Sequence, residues 1–196
     1  MANRNALVVH ARSLPAVLGR QVPRYLTPDE VRTVIDAGKN LRDKLLMETL
    51  WQCGMRISEA LALTAADIDF HTSTIKAITL KRRRPLVRIL PIKAGLLGLL
   101  GRYLGLKRLA PGERLFPISR SQAFRIVQAA CRCAGIDAKR SHCHIFRHSF
   151  SIAAVISGVP PLVLNELLGH SDLSSTLIYT KILAADARTF IERMPF

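Results

Sequence analysis

The chain has 196 residues, of which 49% are hydrophobic and 22% are charged. This composition supplies enough apolar material for one folded domain and excludes an intrinsically disordered or fibrous protein. A formal net charge of +15, from 29 Lys and Arg against 14 Asp and Glu, predicts a polyanionic partner such as nucleic acid or an anionic membrane. The whole excess lies between Phe70 and Asn165, where 17 basic residues accompany two acidic ones.

The first 25 residues show no sustained periodicity and include several arginines, which predicts a basic N-terminal arm (1–25) before a single domain (26–196). At the start of that domain, Thr27, Pro28 and Glu30 form the pattern of a capping box, so we expect a helix to begin there. Apolar residues at helical spacing predict helices over 28–38, 40–53 and 57–63, with Gly54 ending the second.

From residue 67 the apolar period changes. Residues 74–80 and 86–92 are rich in Ile, Val, Leu and Thr and flank a turn-like basic sequence at 81–85, which predicts a β-hairpin with a basic tip. Helical patterns return at 94–109, 119–134, 149–157, 161–168 and 174–185. The predicted fold class is therefore mostly α with a small antiparallel β-sheet (α+β).

The sequence disfavours two alternatives, a metal site and a membrane surface. Cys131 and Cys133 would face different sides of a helix and no Cys-x-x-Cys pair exists, so we expect no zinc and no other cofactor. The Leu-rich segment 94–106 contains glycines that close helix packing explains more simply than a membrane surface. The sequence shows no signal-peptide pattern and no spanning segment, which favours a reduced, cytoplasmic setting near the nucleoid.

Histidines and arginines cluster near the C-terminal end of the chain. On a helix, His144, Arg147 and His148 would share one face, and His170 and Tyr179 follow. The set combines phosphate-binding groups with proton-transferring groups. Each residue alone is more often an ordinary core or surface residue, so the assignment depends on the combination.

Together with Arg-Ile-Ser-Glu at 56–59, these motifs resemble the tyrosine recombinase (phage integrase) family. The order matches, as do the intervals of 23 residues from Arg147 to His170 and nine from His170 to Tyr179. The resemblance extends from about residue 25 to the end. The chain is similar to the shorter, catalytic-domain-only members such as the fimbrial phase-switch invertases, because about 25 residues are too few for the N-terminal clamp domain of most members.

The resemblance implies a site-specific recombinase that cleaves and rejoins DNA strands through a 3′-phosphotyrosine intermediate, without a metal, and so inverts, resolves or integrates DNA. Tyr179 would attack the phosphorus. Arg56 and Arg147 would clamp the non-bridging oxygens, and His170 would add a further donor.

Further roles follow from the same resemblance. His144 would take the tyrosine proton or order the site, and Glu59 would orient the groups around it. The general acid of the family is a lysine on the hairpin. We favour Lys81 for this role, although counting back from Pro91 points to Arg83, because an arginine cannot readily give up a proton.

The expected DNA contacts on the hairpin are Arg82, Arg83, Arg84 and Arg88. The expected partners are double-stranded DNA with specific recombination sites, a homo-tetramer in the synaptic complex and an accessory DNA-bending protein, and no membrane. The apolar stripe after Tyr179 would dock on a neighbouring protomer or on its own domain. A type IB topoisomerase and a DNA-binding regulator without catalysis remain as alternatives.

Overall fold

The computed structural model describes residues 23–79 and 85–184, with side chains described up to residue 180. The basic arm up to residue 22, the hairpin tip with Lys81, Arg82, Arg83 and Arg84, and the apolar stripe after Tyr179 therefore lie outside the described residues. The fold class is the predicted one, mostly α-helical with one small antiparallel sheet. Its elements are α1 (Pro28–Asp36), α2 (Leu41–Cys53), α3 (Ile57–Ala60), β1 (Ile68–Asp69), β2 (Thr74–Thr79), β3 (Leu86–Pro91), α4 (Ala94–Lys107), α5 (Arg120–Cys133), α6 (His144–Ile156), α7 (Pro161–Leu168) and α8 (Ser174–Ala184).

Helix α1 begins with the predicted capping box. The Thr27 hydroxyl accepts a hydrogen bond from the Glu30 backbone N–H at 3.2 Å, and the Glu30 carboxylate accepts one from the Thr27 N–H at 2.9 Å. Just before the cap, the buried Leu26 donates its N–H to the Ser149 hydroxyl at 2.7 Å. This bond joins the start of the described chain to α6.

Helix α2 ends at Gly54, as predicted. Gly54 has a φ of +57°, and a Cβ built on it would lie 2.4 Å from Cδ1 of Phe150. Glycine is therefore required at position 54 for two reasons: the backbone is left-handed, and the aromatic ring approaches closely. After this turn the chain continues into α3.

The three strands pair in the order β1, β2, β3, all antiparallel, and Ile75 faces Leu90 while Ala77 faces Arg88. Strand β3 inverts the usual hydropathy pattern. Val87 and Ile89 are 50% and 59% exposed, whereas Arg88 is buried and points into the domain. An inward arginine between two outward aliphatic residues indicates that its guanidinium has partners inside.

Two expectations from the sequence are wrong. Helix α6 begins at His144, five residues before the predicted start at 149, because the buried Ile145 and Phe146 extend the apolar side of the helix towards its N-terminus. Close packing among the described residues does not explain the glycines of α4: none of these residues lies within 4 Å of the Cβ positions of Gly95, Gly98 and Gly105, and Gly101 approaches Phe70 at 3.3 Å. None of the helices in the described ranges is long and apolar enough to cross a membrane.

Buried apolar side chains form two clusters. The larger one fills the space between α1, α2, the sheet, α4, α5 and the start of α6. The smaller one joins the end of α6 to α7 and α8 and contains Ile152, Leu164, Leu168 and Tyr179. Because α6 belongs to both, the side chains of its first two turns lie where the clusters meet.

We expect Gly54→Ala to lower the free energy of unfolding by about 1–2 kcal/mol from the left-handed backbone alone, and further through the contact with Phe150. The matched control is Gly98→Ala, which places the same methyl in open space on α4 and should raise stability by about 0.5–1 kcal/mol. Urea denaturation measures both. Equal stability of the two variants would contradict the assigned role of Gly54.

Candidate active site

The buried carboxylate of Glu59 binds groups from three elements. Its Oε1 accepts hydrogen bonds from Arg56 Nη1 at 3.1 Å and from the Thr79 hydroxyl at 2.7 Å. Its Oε2 accepts from the Arg56 backbone N–H at 2.9 Å and from Arg88 Nη2 at 2.6 Å. Glu59 thus links the start of α3 to the end of β2 and the middle of β3, and it holds the Arg56 side chain, which is 25% exposed.

Burial of Glu59 by itself would raise the pKa of its carboxyl. The charge of Arg88, the bonds from Arg56 and Thr79 and the charge of Arg56 outweigh burial and lower that pKa below its ordinary value. Glu59 is therefore ionised at neutral pH. The family resemblance predicts that Glu59 orients the active-site groups, and these contacts are the ones through which it would hold Arg56.

Arg147 projects from α6 and is buried, with 3% of its surface exposed. Its Nη1 donates to the Gly54 carbonyl at 2.7 Å and its Nη2 donates to the Leu168 carbonyl at 2.8 Å. Burial, followed by the charge of Arg56, lowers the pKa of Arg147 to about 10, so the guanidinium stays charged at neutral pH. The two carbonyls hold it between the ends of α2 and α7.

His170 follows Gly169, which ends α7 with a φ of +63°. The Thr176 hydroxyl lies 2.8 Å from His170 Nδ1 and donates to Asn165 Oδ1 at 2.9 Å, so His170 Nδ1 donates to Thr176. This arrangement leaves Nε2 for a ligand. Burial, followed by the charges of Arg147 and Arg56, lowers the pKa of His170 to about 4, and the imidazole is neutral at pH 7.

Tyr179, on α8, is 4% exposed, and its hydroxyl lies 2.9 Å from His148 Nδ1. Burial, followed by the neighbouring His144 and His142, lowers the pKa of His148 to about 4. Burial also raises the pKa of Tyr179, although the Ser151 hydroxyl and Arg147 act in the opposite direction. At neutral pH a protonated tyrosine therefore faces a neutral histidine, and in the His148 tautomer protonated on Nε2 the Tyr179 hydroxyl donates to Nδ1, which can accept its proton.

His144, predicted as the acceptor of the tyrosine proton, occupies a different place. It is exposed at the start of α6, and its ring centroid lies 6.2 Å from that of His148. His148 lies one helical turn further along the same face, towards α8, and this turn brings it to Tyr179. The sequence pattern placed both histidines on one face, and the family resemblance favoured His144, whereas the structure brings His148 to the Tyr179 hydroxyl.

The predicted DNA contact Arg88 lies inside the domain rather than on a DNA-facing surface. Its side chain is 5% exposed, binds Glu59 and donates Nη1 to the Leu167 carbonyl. A guanidinium with these partners is not free to bind a DNA backbone. This placement corrects the sequence-based expectation.

The other predicted residues that the structure describes share one site. The charges of Arg56 and Arg147 both act on His170, and Tyr179 lies near enough to Arg147 to affect the Arg147 pKa. Within the ranges 23–79 and 85–184, no three His, Cys, Asp or Glu side chains are grouped so that they could hold a metal ion. Cys131 is buried and Cys133 exposed, so the two thiols face different directions as expected.

Sequence reasoning missed several residues of this site. Thr79 shares the inward face of β2 with Ile75 and Ala77, and strand alternation could have located it. Thr176 gives no such signal, because only the folded turn between α7 and α8 brings it to His170. The contact between His148 and Tyr179 likewise depends on the packing of α8 against α6.

Residues 24–185 match the sequence model of the phage integrase family. The chain belongs to the phage integrase family. A curated member of that family, a tyrosine recombinase from Pseudothermotoga lettingae, is 34% identical over 169 residues, which cover 84% of this chain and 58% of the relative. The chain thus spans less than two thirds of that relative's length. These matches confirm the resemblance that the sequence motifs indicated.

Solved structures of phage integrase family proteins share the fold. The XerA recombinase superposes with a TM-score of 0.74 at 25% identity, covering 89% of this chain and 65% of that one. The XerH site-specific recombinase, in a pre-cleavage complex with its difH substrate, gives a TM-score of 0.70 at 24% identity, covering 85% of this chain and 53% of that one. At this identity the XerH match shows the fold alone.

We expect Glu59→Gln to lower the free energy of unfolding by about 3–5 kcal/mol, because it leaves the buried Arg88 without its anion. The control, Glu30→Gln, breaks an ion pair with Arg140 in which both side chains are about 30% exposed and should cost at most about 1 kcal/mol. The stabilisation from ionised Glu59 is complete above its unfolded pKa of about 4.3 and is lost as pH falls through the lower folded pKa. The wild type and Glu59→Gln should therefore converge in acid, and a pH-independent difference in urea midpoints would refute this role.

Proposed function

We propose that this chain is a site-specific DNA recombinase that cleaves and rejoins strands through a 3′-phosphotyrosine intermediate. The observation that carries the proposal is the Tyr179 hydroxyl, 2.9 Å from the neutral imidazole of His148 and beside the cationic Arg147. A nucleophile, a proton acceptor and a cation thus meet at one point. The family membership of the chain supports the same reaction.

The arginines supply the charge that a phosphodiester needs during attack. A guanidinium has about five N–H donors, and the described bonds of Arg147 use its two terminal nitrogens on carbonyls. Donors of Arg147 remain, and Arg56 is partly exposed, so both can bind non-bridging oxygens of the five-coordinate phosphorus. The charge that accumulates on those oxygens in the transition state is then balanced by groups already in place.

The two neutral histidines, His148 and His170, have different roles in the proton transfers of the proposed reaction. His148 takes the Tyr179 proton as the hydroxyl attacks phosphorus, and the 5′ oxygen leaves with a proton from a general acid, for which we retain Lys81. His170 carries a proton on Nε2 only as imidazolium, because Nδ1 already donates to Thr176. A bound phosphate anion raises the pKa of His170 and favours that form.

The proposed partner is double-stranded DNA. The net charge of +15 favours a polyanion, and the fold relative XerH is described as bound to its difH substrate. Assembly as a tetramer on two sites, use of an accessory DNA-bending protein and a position in the nucleoid are proposed on the same basis. The DNA contacts proposed for Arg82, Arg83 and Arg84 also remain proposals.

Tyr179→Phe should bind DNA as the wild type does and form no covalent complex, because only the attacking oxygen is lost. Tyr103→Phe is the matched control: Tyr103 is also buried, stacks on Phe116 in the larger apolar cluster and should remain active when changed. The test incubates each protein with a nicked suicide duplex and resolves the adduct on a denaturing gel. An adduct of normal yield with Tyr179→Phe would exclude Tyr179 as the nucleophile.

His148→Asn should lower the single-turnover cleavage rate by a factor of about 10² to 10⁴, the usual range for proton-transfer catalysis, because asparagine accepts a hydrogen bond but not a proton. The rate of this variant relative to the wild type should rise with pH as tyrosinate forms, because the wild type already has its proton acceptor at every pH above the His148 pKa of about 4. His144→Asn is the control and should lose much less activity. A larger loss in His144→Asn would return the proton transfer to His144.

A further inference from the structure

The burial of Arg88 runs against the hydropathy of its strand. A shift of β3 by one residue would bury Val87 and Ile89, which are now exposed, but it would expose the buried Leu90 and release the arginine to solvent. Burying a guanidinium costs free energy unless charged and polar partners receive it. The burial of Leu90 and the contacts that Arg88 makes inside the domain together explain this register.

Those contacts join two segments of the active site. Nη2 of Arg88 binds Oε2 of Glu59, whose other oxygen binds Arg56 Nη1. Nη1 of Arg88 donates to the carbonyl of Leu167, in the last turn of α7. Arg88 thus bridges the segment that carries Arg56 and the helix end that precedes His170.

The turn before His170 is shaped around this guanidinium. A Cβ on Gly169 would lie 2.8 Å from Nε of Arg88 and 2.9 Å from Cδ, so only glycine lets the side chain pass. The next carbonyl in α7, that of Leu168, receives Nη2 of Arg147. Two arginines from different elements thus hold neighbouring carbonyls of one helix end.

We propose that Arg88 is a positioning residue that fixes Arg56 and His170 relative to each other by clamping Glu59 and the Leu167 carbonyl with one guanidinium. It touches neither DNA nor the reacting atoms. The inference rests on the proposed recombinase reaction, in which Arg56 and His170 bind the scissile phosphate. It assigns to β3 a positioning task in catalysis.

The geometry of the clamp requires arginine. Its planar fork presents donors to two acceptors at fixed angles, whereas a lysine ammonium is a point charge that satisfies the carboxylate without holding the carbonyl at the same time. Arg88→Lys therefore keeps Glu59 neutralised and removes the fixed spacing. Arg88→Gln removes the charge as well.

The experiment compares single-turnover cleavage at saturating DNA with DNA affinity and its salt dependence. We expect both Arg88 variants to lose cleavage rate by a factor of about 10², the effect of a misplacement of about 1 Å, with the dissociation constant and salt slope unchanged. Arg42→Gln is the matched control, because it also deprives a buried carboxylate, Asp43, of its arginine at the far end of α2. The control should cleave DNA at the wild-type rate.

A second substrate distinguishes a loss of positioning of Arg56 and His170 from a loss of protein stability. In a methylphosphonate, a methyl group replaces one non-bridging oxygen, so the scissile group is neutral and depends less on Arg56 and His170. We expect the loss in Arg88→Lys to shrink at least several-fold on this substrate. An equal loss on both substrates would overturn the proposal, since a merely less stable protein would lose activity on both alike.

Other outcomes are equally decisive. A salt slope reduced by about one, with cleavage normal at saturation, would make Arg88 a phosphate contact and overturn the inference. Wild-type cleavage rates in both Arg88 variants would also overturn it. Failure of the wild type to form any adduct would instead refute the proposed function. If Arg88→Gln does not fold, Arg88→Lys alone tests the inference, because it keeps the charge opposite Glu59.

Discussion

The ionised Glu59 carboxylate is the interaction on which the active site depends. Arg56, Arg88 and Arg147 lie close enough for their charges to act on one another, and Arg56 lowers the pKa of Arg147. Glu59 offsets this repulsion by binding Arg56 and Arg88 directly, and its charge also acts on Arg147. The sheet contributes through Thr79, which completes the set of donors around the carboxylate. The cluster of cations in this site thus contains its own anion.

Carbonyl groups at helix ends bind Arg88 and Arg147, whose charges Glu59 does not fully neutralise. The last carbonyls of a helix lack intrahelical partners and carry the negative end of its dipole. Arg147 binds the carbonyl of Gly54 just after α2 and that of Leu168 at the end of α7, and Arg88 binds that of Leu167. Gly54 and Gly169 both take a left-handed conformation there, so each helix stops where its carbonyls face a guanidinium.

Local sequence signals predicted the elements, and motif spacing predicted most of the site. The capping box at Thr27 and the stop at Gly54 are decided by neighbouring residues, so the sequence sufficed for them. The inward turn of Arg88 could not be foreseen, because it depends on the buried Glu59 of a different element. The hydrogen-bond partner of Tyr179 could not be predicted for the same reason. Periodicity placed two histidines on one helix face, and the packing of α8 against that face brings His148 to Tyr179.

Burial, followed by the charges of neighbouring groups, keeps both His148 and His170 neutral. Burial lowers the pKa of His170 and the charges of Arg147, Arg56 and Arg88 lower it further, so the protein without DNA keeps a neutral imidazole beside its cations. In the proposed reaction a phosphate placed among these groups reverses the electrostatic part of that shift, and His170 gains the proton that makes Nε2 a donor. His148 lies against the Tyr179 hydroxyl and in the same reaction accepts the tyrosine proton. In the proposed reaction, substrate binding therefore turns two histidines of like pKa into a donor and an acceptor.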